Sequence, residues 1–158
     1  MRSGLPGFAT GGLFVKFAQF HAGLVLHAGP YTVSQAEILG YAKQWDPQWF
    51  HTDPTAAAQG PFKGLIASGW HTCAIAMRLV ADAFLAGSQS YASPGLTYVK
   101  WPNPLRPNDV LVLQATVLET RISKSNPSLG ILRWRWQLHN AAETEVLDLE
   151  ATSLFKLF

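Results

Sequence analysis

Residues 65–86 read Leu65-Ile66-Ala67-Ser68-Gly69-Trp70-His71-Thr72-Cys73-Ala74-Ile75-Ala76-Met77-Arg78-Leu79-Val80-Ala81-Asp82-Ala83-Phe84-Leu85-Ala86. The only charges, Arg78 and Asp82, stand four positions apart and so share one helical face. A helix that is apolar on nearly every other side is a buried one, and over residues 65–86 it would span about 33 Å.

On its C-terminal side the pattern turns to strand. Segments Leu96–Trp101, Val110–Arg121, Gly130–Leu138 and Val146–Phe155 are separated by Pro102, Pro104, Pro107-Asn108, Asn126-Pro127 and Asn140. Arg133-Trp134-Arg135-Trp136 alternates strictly, as a sheet with one wet face demands. On the N-terminal side, a short apolar stretch Gly23–His27 and a turn at Gly29-Pro30 precede Tyr31-Thr32-Val33. Ser34 with Glu37 three residues later is a capping box, predicting a helix through Ile38, Leu39, Tyr41 and Ala42. It must end near Asp46, because Pro47 bars the residue before it from helical geometry. Residues 46–64 form a long connection with one short helix, for which Asp53 is a good N-cap and Pro54 a good first position. One long buried helix followed by three or four long antiparallel strands implies an α+β fold, a curved antiparallel sheet wrapped around the helix.

The 158 residues suit one domain, which at that size buries roughly two-thirds of the surface its unfolded chain exposes. No internal repeat or low-complexity linker divides them, so residues 16–158 are expected to be one domain and 1–15 a loose arm or a remnant of expression. Net charge +2 with 14% charged residues, scattered along the chain, excludes the clustered Lys and Arg of a nucleic-acid face. Low charge with 48% apolar residues and six Trp favours an oligomer. One cysteine, Cys73, fits a reducing compartment such as the cytoplasm, and no apolar run has the length of a secretory or membrane-spanning segment. No Cys/His cluster has zinc spacing, so no metal is expected.

Chemistry concentrates in Trp45-Asp46-Pro47-Gln48-Trp49-Phe50-His51-Thr52-Asp53-Pro54. A carboxylate and an imidazole five residues apart, on a backbone that Pro47 keeps from continuing as helix, can fold back into one crevice. Together they can hold a water, one taking a proton from it while the other manages a proton at the neighbouring carbon. Charge then gathers on an adjacent carbonyl oxygen. The helix start Gly64-Leu65-Ile66-Ala67-Ser68-Gly69-Trp70-His71 offers unpaired amides to receive it, and Gly69 has no side chain to obstruct a ligand oxygen.

Asp46-Pro47-Gln48-Trp49-Phe50-His51, then Thr52-Asp53-Pro54, then Gly64-Leu65-Ile66-Ala67-Ser68-Gly69 together resemble the hydratase motif of the MaoC-like dehydratases, which include (R)-specific enoyl-CoA hydratases. Val99–Val110 and Ile122–Ile131 continue the likeness, which covers about residues 17–156. The resemblance implies a hotdog fold, and a homodimer or dimer of dimers with an acyl-pantetheine tunnel at the interface. It implies a lyase that reversibly hydrates a trans-2-enoyl thioester to an (R)-3-hydroxyacyl thioester. Asp46 and His51 would be catalytic and the Gly69 amide would polarise the thioester carbonyl; Trp49, Phe50, Ser68 and Trp70 are candidate substrate contacts. No separate cofactor is implied, since coenzyme A or an acyl carrier enters as part of the substrate. Two residues depart from the pattern: Trp49 stands where the family usually places proline, and Met77 where some hydratases carry serine. These departures make one rival plausible, a non-catalytic acyl-thioester binding subunit; a second, a hotdog thioesterase, would use an acidic residue and the same helix-start amides to hydrolyse the thioester, and the Asp46/His51 spacing argues against it.

The remaining candidates have plainer readings. Asp53 reads as a helix cap, His71 as a partly exposed helix histidine and Cys73 as a small buried apolar residue. Trp134 and Trp136 are expected to face the helix or a neighbouring subunit, and His21, His27 and His139 have no assigned role. Lys63, Arg106, Lys124 and Arg133 could meet the phosphates of a coenzyme A nucleotide, with solvated surface charge as the default.

Overall fold

The computed structural model describes residues 16–158, so the expected N-terminal arm, 1–15, lies outside the described residues. Five strands, β1 (Val25–Thr32), β2 (Ser90–Lys100), β3 (Val110–Ile122), β4 (Leu129–His139) and β5 (Glu145–Lys156), form one antiparallel sheet in the order β1-β3-β4-β5-β2. Four helices, α1 (Gln35–Trp45), α2 (Trp49–Thr52), α3 (Pro54–Gln59) and α4 (Gly69–Val80), all lie between β1 and β2 in the chain. The crossover from one sheet edge to the other therefore carries every α-helix of the described residues.

The alternation read in the sequence sorts the two faces of the sheet. Leu111, Leu113, Ala115 and Val117 of β3, Leu132, Trp134, Trp136 and Leu138 of β4, and Leu147, Leu149, Ala151 and Phe155 of β5 are buried. They share one core with Ile75, Ala76 and Val80 of α4. Trp134 is fully buried there, its ring edge-on to Phe20 at 5.7 Å and 6.4 Å from Phe84. On the opposite face Arg133 pairs with Glu119 and Glu150, and Arg135 with Asp148 at 2.8 Å. Those pairs engage Arg133 on the wet side of the sheet. A helix held against one face of a five-stranded antiparallel sheet is the hotdog arrangement that the resemblance implies.

Three elements differ from their sequence reading. The buried helix is α4, twelve residues and about 18 Å long, followed by one turn of π-helix at Ala81–Leu85. Residues 65–68 do not belong to it: the Ile66 and Ala67 amides donate to the Phe50 and Leu105 carbonyls, so this apolar run reflects burial in an extended bridge. β2 begins at Ser90, well before Leu96, and β1 runs through Gly29-Pro30, where its register slips between Ala28 and Tyr31. Both are edge strands. An edge tolerates a proline or glycine that would break a central strand, because half its backbone groups need no partner strand. Among the described residues no helix is long and apolar enough to cross a membrane.

Candidate active site

α1 starts as its sequence requires, with the Ser34 hydroxyl accepting from the Glu37 amide at 3.1 Å. The reciprocal half of the box is spent elsewhere, because the Glu37 carboxylate accepts from the Tyr31 hydroxyl (2.7 Å) and meets His71 Nε2 (3.0 Å). Asp46 caps the other end, its amide still donating to Ala42 while its own φ of −152° takes the chain out of the helix ahead of Pro47. The Gln48 amide then donates to the Asp46 carbonyl and the His51 amide to that of Gln48, so α2 folds back over the end of α1.

This reversal brings His51 Nε2 to 3.4 Å from Asp46 Oδ2. His51 is buried, and its Nδ1 lies 2.7 Å from the Ile66 carbonyl. A carbonyl can only accept, so Nδ1 carries a proton, and in the neutral imidazole the lone pair then sits on Nε2, which faces Asp46. Asp46 accepts from the Ser68 hydroxyl at 2.6 Å and from the Gln48 amide nitrogen at 2.8 Å. The Ser68 bond chiefly, then Gln48 and His51, hold its carboxyl below the ordinary value against an opposing push from burial.

A cleft of about 240 Å³ opens beside His51, with Phe62, Gly69, Thr72, Trp101 and Asn103 in its walls. Gly69 is the first residue of α4, so its amide has no acceptor within the helix and adds to the positive end of the helix dipole. The lack of a side chain there serves a contact the sequence did not show: a Cβ on Gly69 would stand 2.5 Å from Cε2 of Trp101.

The other predicted contacts separate. Ser68 is fully buried and donates its hydroxyl to Asp46. Trp49 turns outward onto Gly60, where a Cβ would be 2.7 Å from its ring, and it is not among the cleft-lining residues. Phe50 packs edge-on against His51, with ring centres 4.4 Å apart, and buttresses the imidazole. Trp70 is exposed and stands edge-on to Trp101 at 5.6 Å. Met77 lies farther along α4 in the wall of a second cavity, so neither departure from the family pattern reaches the Asp46/His51 pair. Asp53 caps α3 through Ala56, and Cys73 is half-buried rather than buried.

His71 also differs from expectation, being buried at 4% exposure. Its ring stacks on Tyr41, 4.5 Å between centres and 7° from parallel, and Nδ1 has no partner among the described residues. Burial pushes its pKa below 6.5, while Glu37 pulls the other way. The unfolded chain therefore takes up a proton that the folded chain resists, so stability is full above pH 6.5 and falls as the pH drops below it. His71→Phe keeps the ring stack and removes the titration. Its urea midpoint is expected to change less than that of wild type between pH of about 7.5 and about 5.5; an equal change in both would assign the loss to another group.

The model of the MaoC like domain matches residues 16–132. The chain belongs to the MaoC-like domain family. A MaoC-like dehydratase from Rhodospirillum rubrum superposes on it with a TM-score of 0.83 at 36% identity, covering 92% of this chain and 97% of that one. The uncharacterized protein YdeM of Bacillus subtilis is 30% identical over 142 residues, 90% of this chain and 99% of that protein. The 3-hydroxyacyl-thioester dehydratase Z of Mycobacterium tuberculosis is 37% identical over 76 residues, 47% of this chain and 50% of that protein. The R-hydratase PhaJ1 of Pseudomonas aeruginosa, at 23% identity and a TM-score of 0.73 over 90% of this chain and 86% of that one, shares the fold. Within this MaoC-like domain no three His, Cys, Asp or Glu side chains converge as metal ligands among the described residues.

Proposed function

We propose that this MaoC-like protein reversibly hydrates a trans-2-enoyl thioester to a 3-hydroxyacyl thioester, of (R) configuration as the resemblance implies. The observation that carries the reading is the 3.4 Å between His51 Nε2 and Asp46 Oδ2, with His51 opening on the cleft that Gly69 also lines. A water about 2.8 Å from each atom can donate one hydrogen bond to both.

In the hydration direction His51 Nε2 takes one proton of that water as its oxygen bonds to the β-carbon. The electrons of the double bond move onto the thioester carbonyl oxygen, where the Gly69 amide receives the charge. The His51 imidazolium, beside the Asp46 carboxylate, then returns the proton to the α-carbon, so H and OH have both been added and the protein is restored. Asp46 stays ionised, orients the water and stabilises the imidazolium.

The direct test is a panel of trans-2-enoyl-CoA substrates followed by loss of the conjugated double bond. Release of free thiol with no change in enoyl absorbance would instead establish a thioesterase. Binding without turnover at any chain length would establish an acyl-thioester binding subunit. We further place the protein in the cytoplasm, on its single cysteine, as a homodimer or dimer of dimers; the exposed edge strand β2, with Tyr91 58% and Leu96 46% exposed, supports such an assembly.

Ser68 acts on the reaction through Asp46 and is a positioning residue. Ser68→Ala removes the largest influence holding the Asp46 carboxyl low, so that pKa rises and the acid limb of the kcat/KM profile moves to higher pH. Activity on the plateau is expected to fall about tenfold, the worth of one charge-assisted hydrogen bond, and Ser68→Thr to recover most of it. An acid limb that stays in place in Ser68→Ala would remove this role.

A further inference from the structure

Gly69, Cys73 and Met77 are spaced i, i+4 and i+8 and form one stripe along α4. Its first residue lines the His51 cleft. Cys73 and Met77 line a second cavity of about 320 Å³, almost wholly apolar, which Leu85, Leu96, Leu149 and Ala151 also wall. Eight residues of helix rise about 12 Å, so the two spaces follow one another along a single helix face.

Trp101 packs on that face at its Gly69 end, where it walls the His51 cleft. Its ring occupies the notch at Gly69, with Cε2, Cδ2 and Cζ2 at 2.5, 2.7 and 2.8 Å from where a Cβ would be. Burial pushes the Cys73 thiol pKa up and the neighbouring Trp101 side chain opposes that rise, so the indole also stands beside Cys73, one turn farther on. Trp70 braces it edge-on, and Trp101 is itself a wall of the cleft. A glycine and a thiol are among the few pairs small enough to let an indole settle this closely on a helix. Trp101 remains 43% exposed and stands outside the hydrophobic core cluster, so the ring can be removed without opening the core.

We propose that Trp101 is the specificity-determining residue of this protein, a partition that closes the His51 cleft against the apolar cavity and confines turnover to short-chain enoyl thioesters. This rests on the hydratase reading. The partitioned cleft accommodates an acyl chain only as far as the indole, and the space beyond has the apolar lining and the alignment to receive the rest of a longer chain once the indole is gone.

The test compares kcat/KM for trans-2-butenoyl-CoA and trans-2-decenoyl-CoA. Wild type is expected to prefer butenoyl, and Trp101→Ala to shift the ratio toward decenoyl by at least about tenfold, on the scale of methylenes gaining a pocket. Adding Ala92→Phe, on exposed β2 in the wall of the apolar cavity, is expected to cancel that shift. Should Trp101→Ala fail to fold by circular dichroism, Trp101→Leu carries the same comparison. Calorimetric binding of the unreactive S-butyl and S-decyl thioethers of coenzyme A separates this inference from the reaction it rests on. A gain of at least about tenfold for S-decyl in Trp101→Ala supports the partition even where no substrate turns over. Equal use of both chain lengths by wild type, an unchanged ratio in the variant, or a shift that survives Ala92→Phe would overturn it.

Discussion

His51→Ala is expected to lower kcat/KM for enoyl-thioester hydration by at least about a hundredfold, and Asp46→Asn by a similar factor. The imidazole both takes the proton from water and returns it, and no other side chain in the cleft walls titrates in the range where it could substitute. Asp46→Asn keeps the shape but removes the charge that stabilises the imidazolium and can put a donating amide where the water needs an acceptor. The two losses should not add: a group that holds the water and a group that deprotonates it act as a unit, so the double variant is expected to be no more than a fewfold worse than the weaker single. Both proteins should fold and still bind a saturated acyl-CoA, because the backbone hydrogen bonds that turn the chain from α1 into α2 remain in each. If either variant turned over within about tenfold of wild type, the acid/base assignment would be wrong.

Gly69→Ala carries the second large effect. The new Cβ meets the Trp101 ring at 2.5 Å, closer than nonbonded atoms approach, so either the indole leaves its notch or the first turn of α4 shifts. That turn carries the amide assigned to the carbonyl oxygen. The expected loss in kcat/KM for a butenoyl substrate is about tenfold to a hundredfold, short of the hundred- to thousandfold that follows outright removal of an oxyanion donor, because the amide is displaced and not deleted. Trp101→Gly in the same chain removes the clash and should return part of the activity. A Gly69→Ala protein as active as wild type would show that neither the amide position nor the indole seat matters to turnover.

The site was legible where it depends on chain-local rules. Pro47 must end α1, and the residues after it must turn, so Asp46 and His51 stand out before any coordinates are known. Ser34 caps α1 and Asp53 caps α3 as their positions require. What could not be read is which partner each polar group would find across the chain. Glu37 had an in-box role waiting at Ser34 and instead serves Tyr31 and His71, which lie on β1 and α4. His71 carries no local sign that it would be buried against Tyr41, since a histidine in the first turn of a helix is as often wet as dry. Ser68 was a reasonable substrate contact by position, and its hydroxyl goes to Asp46, twenty-two residues back. In each case the local sequence offers a donor or acceptor, and burial forces it to the nearest complementary group wherever the fold has put one.

The same division runs through the fold. Apolar patterning, with the Pro and Asn breaks between segments, located α4 and the central strands β3, β4 and β5, because the core-facing side of these elements is predominantly apolar. Period failed at β1 and at the first half of β2, where Gly29-Pro30 and Ser93-Pro94-Gly95 interrupt it, since an edge strand is held by one neighbour only and can tolerate such breaks. It also overran α4 at residues 65–68, because apolar side chains report burial and cannot tell an extended bridge from a helix. Only the tertiary structure decided that the Ile66 carbonyl would choose the tautomer of His51, and that Trp101 would settle on Gly69. Both are contacts between segments far apart in sequence, whose energies exist only once the whole chain has closed around them.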